Sequence, residues 1–221
     1  LPYANNKEVV GTASTVAEGL GDLTLTAGYH LIDDTITSEL RHRLIVGAGV
    51  KLATGDDRDN ANGQRITILN QPGTGANDAI IMAAYLMGYK QWGIVVNGMS
   101  KFNGTNAFNE RIGNSVSAST SLFYKIDMGC GFQILPSIVV NYEKTKGEYL
   151  KDVLQNRPGM QTLLGGVGLQ VSYRRFSLDI IAQKAIDEPK SSNSMYTTLR
   201  TVAGLTYNFN QSNFLFHIKD K

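Results

Sequence analysis

Stretches in which hydrophobic and polar residues alternate recur along this chain. The clearest covers residues 43–52, where one side of an extended strand would carry Leu44, Val46, Ala48, Val50 and Leu52. The other side would carry Arg43, Ile45, Gly47, Gly49 and Lys51. Because successive side chains of a strand point to opposite faces, this period of two predicts strands with one apolar and one polar face.

Similar strands are predicted over residues 22–31, 92–101, 115–125, 133–143, 166–173, 176–183 and 199–209. Residues 79–89 also have strand character, but they are apolar on both sides, so their two faces stay unassigned. Residues 1–5 look like the tail of one further strand. The pattern therefore predicts about ten strands and an all-β chain.

The connectors between these strands alternate in length. Those at 90–91, around 127–129 and at 174–175 are tight, whereas those at 55–77, 103–110, 142–158 and 187–194 are long and polar. The connector at 33–41 is the exception, because it is rather long for its side. Short turns at one end and long loops at the other are typical of up-and-down barrels of the bacterial outer membrane.

A soluble barrel such as a lipocalin would show the same alternation with its apolar face turned inward. Two features favour the membrane alternative. Gly, Ser and Thr crowd the polar positions, and aromatic residues such as Trp92, Tyr124 and Tyr173 lie towards strand ends, where a membrane barrel carries its interfacial girdles. We therefore expect a transmembrane antiparallel up-and-down β-barrel in the outer membrane, in contact with its lipid.

Composition narrows the alternatives. The 221 residues carry a net charge of +2 and are 18% charged, so no clustered basic field predicts a nucleic-acid partner. No uninterrupted apolar run of about 18 residues predicts a transmembrane helix. Cys130 is the single cysteine, which leaves no disulfide and no cysteine-rich metal site within one chain. No cofactor is expected.

Three glycine-rich segments carry a family resemblance: EGLGDLTL at 18–25, GAGVKLATG at 47–55 and NQPGTGANDAI at 70–80. In this order they resemble the outer-membrane transporter family named for the meta-pathway of phenol degradation, and the similarity extends more loosely over 18–209. The resemblance implies a barrel of about a dozen strands, with a first hairpin before Leu1. It also implies a channel for small, often apolar compounds, and it carries over no catalytic residues.

The last predicted strand places Leu205, Tyr207 and Phe209 on alternate positions and ends on an aromatic residue. This pattern resembles the C-terminal signal that the barrel-assembly machinery reads. Residues 210–221 continue beyond it. We therefore expect a barrel over residues 1–209 and a C-terminal extension over 210–221.

Parity predicts which charged and titratable side chains line the inside of such a barrel. They are Asp22, His30, Arg43, Lys51, Lys101, Lys125, Glu143, Asp179 and Arg200. Unpaired buried ions are costly, so these groups must be hydrated or paired. They either form salt bridges that plug the interior or line a solute path, and their basic excess would then favour anions.

Two other candidate sites fail on their spacing. Asp56, Asp57 and Asp59 lack the ligand pattern of a calcium loop, and QPGTGAND at 71–78 lacks the lysine and the helix of a phosphate loop, so it is expected to be a turn. No histidine among His30, His42 and His217 pairs with an outward serine, which argues against a barrel lipid hydrolase. Three functions remain: a channel or transporter, the favoured one; a non-conducting subunit or scaffold among other outer-membrane proteins; and the hydrolase. An enzyme is not expected.

Overall fold

The structure is a computed structural model that describes residues 3–10, 13–36, 39–58, 60–61, 64–65, 68, 70–155, 159–186 and 199–207. Regular structure in these residues consists of strands. They are β1 (Tyr3–Val10), β2 (Ala13–Leu20), β3 (Leu23–Thr35), β4 (Leu40–Leu52), β5 (Asn60–Ala61), β6 (Gln64–Arg65), β7 (Asp78–Tyr89), β8 (Trp92–Phe102), β9 (Glu110–Ile112), β10 (Ser115–Tyr124), β11 (Ile126–Gly129), β12 (Phe132–Thr145), β13 (Glu148–Leu150), β14 (Val153–Leu154), β15 (Met160–Tyr173), β16 (Phe176–Ala185) and β17 (Leu199–Tyr207).

Nine long strands form one antiparallel sheet in the order β3-β4-β7-β8-β10-β12-β15-β16-β17, and the short β11 adds a rung beside β12. Each long strand is hydrogen-bonded to its neighbour in sequence, which is the up-and-down topology predicted from the alternating connectors. In the part of the chain described here, no ladder joins β3 to β17, so these two strands are the sheet's edges. The prediction of an all-β antiparallel chain is confirmed. Over the described residues, however, the sheet is open and does not close into a barrel.

The two faces of the sheet differ in character, and we name them after neighbouring residues of β4. The Lys51 face carries Ile45, Gly47 and Gly49 on β4 and continues through the pairs Lys51–Asp78, Met82–Met99, Asn97–Ser119 and Ser119–Asn141. The Val50 face is apolar and open, and Val167 and Leu205 on it are 63% and 74% exposed. Its middle residues are uncharged, among them Val46, Ile81, Val96, Ala118, Ile138, Val167, Ile180 and Ala203.

Residues 79–89, whose faces the sequence left unassigned, are fixed by the pairing of β7 with β4 and β8. Ile80, Met82, Ala84 and Leu86 lie on the Lys51 face, and Ile81 and Tyr85 lie on the Val50 face. This strand gives the otherwise polar Lys51 face an apolar wall. Strand β7 is therefore apolar on both sides because one side belongs to the apolar Val50 face and the other lines part of the Lys51 face. This pattern does not mean that the strand is buried on both sides.

Several predicted boundaries were wrong. The connector at 33–41 is short, because β3 runs to Thr35 and β4 begins at Leu40, so His42 lies within a strand. Residues 1–5 were expected to end one strand, but Tyr3–Val10 and Ala13–Leu20 pair as β1 and β2 in a separate two-stranded ladder. The polar run NNKE in β1 shows no alternation that could have predicted it.

A β-bulge in β3 changes which residues share a face. The ladder between β3 and β4 shifts register between His30 and Ile32, which leaves Leu31 as the extra residue. An extra residue reverses the parity of everything that follows it. Asp33 therefore pairs with Arg43 on the Lys51 face, although simple alternation from Asp22 would have put it on the other face.

Aromatic side chains form a row on the Val50 face at the end with the short turns. Trp92 packs edge-on against Tyr124, with ring centroids 4.9 Å apart, and Phe176 packs against Tyr207 at 5.0 Å. Phe132 and Tyr173 form a third pair. No helix long and apolar enough to cross a membrane occurs in the residues that the structure describes.

Candidate functional site

Three loop-side segments meet at a buried group of charges at the long-loop end of the Lys51 face. Lys51 lies at the end of β4, Asp22 in the turn before β3, and Asp78 at the start of β7. The Lys51 Nζ donates to Asp22 Oδ2 at 2.6 Å and lies 3.1 Å from Asp78 Oδ2. Their side chains are 9%, 5% and 3% exposed, so two carboxylates share one ammonium away from bulk water.

Thr74 ties the long loop to this group. Its backbone N–H and its hydroxyl donate to Asp22 Oδ2 at 2.9 and 2.8 Å, and its hydroxyl also contacts the Lys51 amine. The Gly55 N–H donates to the other Asp22 oxygen at 3.0 Å. Burial raises the pKa of Asp22, but the hydrogen bonds from Lys51, Thr74 and Gly55 outweigh it and hold this pKa below its usual value.

We call Asp22, Lys51, Thr74 and Asp78 the latch. Its four residues come one or two each from the three glycine-rich segments on which the family resemblance rests. Alternation alone could not have brought them together, because Thr74 lies outside the strands and Asp78 begins the strand whose faces were unassigned. The glycines of these three segments were the available signal, since Gly55 gives an N–H to Asp22 and Gly75 takes a left-handed φ of 66° beside Asp57.

A second layer of hydrogen bonds supports the latch from the next loop. The Asn106 side chain donates to the Thr74 carbonyl oxygen at 3.3 Å, and the Gly104 N–H donates to Asp78 Oδ1 at 3.0 Å. Ile68, only 1% exposed, lines a small cavity together with Thr74, Asp78 and Gly104. The segment 71–78 is thus the returning turn that the sequence predicted, folded against the end of the sheet.

A second ion pair lies on the same face, where β12 and β17 are separated by two strands. Arg200 donates to both oxygens of Glu143, at 2.5 and 2.8 Å, so the pair is bidentate. Beside it, the Asn141 amide donates to the Gln183 carbonyl oxygen at 3.0 Å. Gly166 of β15 pairs with Gln183 in the ladder, and a side chain on Gly166 would collide with the backbone of Ala182 and Gln183.

The other residues predicted to line the interior occupy less central positions. Arg43 is paired with Asp33 at 3.0 Å, and Lys101 lies 3.8 Å from Asp78. Lys125 lies 3.9 Å from Asp127 just after β10. The remaining two predicted residues are Asp179, which faces Gly204 and lines the lower cavity described next, and His30, which is exposed on the edge strand β3 opposite Ile45.

Two cavities lie between these charged regions on the Lys51 face. The upper cavity, about 400 Å³, has Met82, Met99 and Ile45 on one side and Ser117, Asn141 and Glu143 on the other. The lower cavity, about 300 Å³, is lined by groups that include Val95, Ser121, Gln170 and Asp179. Asn97, Ser119 and Asn141 line both, so the cavities adjoin at these three polar side chains. Alternation indicated the serines, whereas neither the amides nor the methionines were singled out.

An apolar cluster lies at the short-turn end of the same face. Phe123 and Leu135 are each 6% exposed and pack with Leu86 and Val95. The Phe123 ring lies over Gly93, where any side chain would collide with it. The cavities therefore have this cluster on one side and the latch on the other.

Two earlier expectations lie partly outside the described residues. Leu205 and Tyr207 are exposed on the Val50 face, but Phe209, residues 210–221 and His217 fall beyond the described part of the chain. Among the described residues no group of acidic, histidine or cysteine side chains could hold a metal ion. Asp56 accepts a hydrogen bond from the Leu20 N–H at 2.9 Å, so it acts within the loop, and Asp59 is outside the described residues.

Comparison with known proteins gives one result that bears on identity. A search of curated proteins finds no match. A family model described as "Putative MetA-pathway of phenol degradation" matches residues 1–188, a stretch that holds the latch, both cavities and the β1–β2 hairpin. The match begins earlier and ends earlier than the resemblance read from the three glycine-rich segments. Since it covers most of the chain, this protein belongs to that family.

Proposed function

We propose that the chain closes into an outer-membrane β-barrel whose interior is the Lys51 face and which passes a small solute. Support for the membrane comes from the Val50 face, whose open middle is uncharged and apolar and whose short-turn end carries the aromatic row. Lipid-exposed sheet edges would leave unpaired backbone groups in hydrocarbon, at several kcal/mol each. In a bilayer, β3 and β17 therefore have to find partners.

The observation that carries the proposed transport is the pair of adjoining cavities on the Lys51 face. Together they extend from Met82 and Met99 to Asp179, past the shared side chains of Asn97, Ser119 and Asn141. Pockets of several hundred Å³ with a mostly apolar lining and a few polar groups are the usual sites for small molecules. A purely structural interior would be expected to fill this space with side chains.

Packed side chains lie at both ends of these cavities. The latch and Ile68 lie at the long-loop end, and the Phe123–Leu135 cluster lies at the other. We therefore propose a channel that is constricted in its resting state, in which the loop at 53–77 limits entry. Loops of that length usually have a function.

The test uses purified protein in liposomes and planar bilayers. We compare the wild type with a variant in which a short Gly-Ser linker replaces residues 59–69, and Thr120→Val on the Val50 face serves as the matched control. The loop variant should raise solute uptake and conductance, and the control should not. A shift of gel mobility on boiling establishes that each variant is folded.

A scaffold function within a larger outer-membrane complex remains the second candidate, because packed side chains at both ends of the cavities also suit a barrel that conducts nothing. It predicts that folded protein gives neither uptake nor conductance, with the loop present or replaced. That result would overturn the channel and favour the scaffold. Recovery of the protein as a detergent-free periplasmic monomer would overturn both.

A further inference from the structure

Charge on the Lys51 face is almost wholly paired. Lys51 is shared by Asp22 and Asp78, Arg200 grips Glu143, and both Arg41 and Arg43 contact Asp33. The shared wall between the cavities carries no formal charge, since it consists of two amides and a hydroxyl. An ion entering there would lose hydration without finding a free counter-charge, which is costly. Among the described residues of this face, Asp179 in the lower cavity stands outside these pairs and would repel an anion. The shared wall itself therefore suits an uncharged molecule.

The shared wall retains hydrogen-bonding capacity. The Asn97 amide donates to the Ser119 oxygen at 3.2 Å and uses one of its two N–H groups in doing so. Asn141 uses one N–H on Gln183. By the inventory of these groups, each amide keeps a second N–H and a carbonyl oxygen, and the Ser119 hydroxyl keeps its proton. Hydrogen-bond donors and acceptors therefore lie side by side on this wall, and the hydroxyl group of a ligand, which both donates and accepts, could use both.

An apolar surface faces these groups. Met82 and Met99 pair across β7 and β8, and Ile45 lies beside them in the upper cavity. Methionine side chains are flexible and polarisable and adapt to ligands of different shape. Met99 lies two residues from Asn97 on β8, and Met82 pairs with Met99 on β7. A small molecule could therefore contact the methionines with its apolar part and Asn97 with a polar group.

We propose that Asn97, Ser119 and Asn141 form a binding site for an uncharged molecule with an apolar body and one hydroxyl group, with Met82 and Met99 holding the body. This inference deepens the proposed channel and rests on it for its biological role. The binding itself is a separate claim and can be measured without transport. It places the anchor for the solute on the uncharged wall that the two cavities share.

The experiment measures binding to the folded protein in detergent by saturation-transfer NMR. The probes are cyclohexanol, methylcyclohexane and cyclohexanecarboxylate, which share a ring and differ in one group. Cyclohexanol should bind best and the carboxylate worst. Asn97→Leu and Asn141→Leu should each weaken cyclohexanol binding by roughly three- to tenfold, as expected for a lost neutral hydrogen bond, and should bring it close to methylcyclohexane.

Thr120→Val is the control, because Thr120 faces away from the cavities. Met82→Ala should weaken cyclohexanol and methylcyclohexane alike. Equal binding of all three probes, or leucine variants that bind cyclohexanol as the wild type does, would overturn the site. Binding with these specificities but no uptake in liposomes would leave the site standing and overturn the channel. Uptake of cyclohexanol unchanged in both leucine variants would leave the channel and overturn the site.

Discussion

At the scale of single residues, one lysine amine holds two carboxylates at the long-loop end. Lys51 is 9% exposed on its side chain, and Lys101, the other cation near Asp78, is 29% exposed and lies farther away at 3.8 Å. Removing one member of a buried ion pair costs far more stability than removing a surface charge, because the remaining charge is left unpaired in the protein interior, where it is poorly solvated.

Lys51→Met should therefore lower the free energy of unfolding by roughly 3–5 kcal/mol. Lys101→Met, a matched change at the partly exposed lysine of β8 opposite Ile80, should cost less, about 1 kcal/mol, because its amine lies farther from Asp78. Urea unfolding in detergent micelles, followed through the fluorescence of Trp92, measures both. Similar losses for the two variants would show that the latch is not a tightly coupled group.

The latch should also respond to acid through Asp22. Because its pKa is lowered in the folded protein, its contribution is present above the ordinary value of 3.8 and is lost as the pH falls through the lower folded value. Hydrogen exchange at Thr74 and Gly55 should therefore remain slow, after correction for intrinsic rates, down to about pH 4 and become faster below it. Asp22→Asn should give fast exchange already at neutral pH and remove this acid step.

The sequence allowed prediction of part of this site and not the rest. The alternation of side chains along a strand predicted Lys51, Glu143 and Arg200 on one face, because each of them lies in a regular strand. Thr74 and Asp78 were missed because their positions depend on a loop returning to the sheet, and Asn97 and Asn141 were missed because an amide among alternating residues carries no signal of its own. Pairing between strands, which alternation does not specify, decides which side chains meet.

At the scale of elements, the strands were predictable and their irregularities were not. Eight alternating segments became strands because each presents one apolar face, and this physical requirement leaves a period in the sequence. The bulge at Leu31 leaves no such period, and it alone brings Asp33 to Arg43. The sequence predicted only one strand tail at residues 1–5 in place of the hairpin of β1 and β2, because this hairpin also lacks a regular alternation.

Deletion of Leu31 tests this account of the bulge. It removes the extra residue, so Ile32 and Asp33 should keep their partners on β4 and the protein should still fold. Deletion of Ala27, in the regular part of the same strand, should move one half of β3 to the wrong face and prevent folding. The gel-mobility shift on boiling reports both, and a folded Ala27 deletion would show that β3 is free to change register.

At the scale of the whole molecule, charge pairing changes what the sequence predicted for ions. Counting inward residues gave a basic excess and a preference for anions. In the structure, however, Lys51 and Arg200 are each bound to carboxylates, so the field along the Lys51 face is largely cancelled. The ion selectivity of the channel should then depend more on whether these salt bridges are intact than on the number of lysine and arginine residues in the interior.

We therefore expect the wild-type channel to show only a weak ion preference. Lys51→Gln together with Arg200→Gln leaves Asp22 and Glu143 without their cations and Asp78 with the more distant Lys101 alone, so the channel should become cation-selective. The double change Glu143→Gln and Arg200→Gln removes a whole pair and should leave the preference close to that of the wild type. Reversal potentials in planar bilayers under a salt gradient measure this, and high salt should mute the shift by screening. A clear anion preference in the wild type would mean that the pairs open in the membrane, and the paired-charge account of the interior would be wrong.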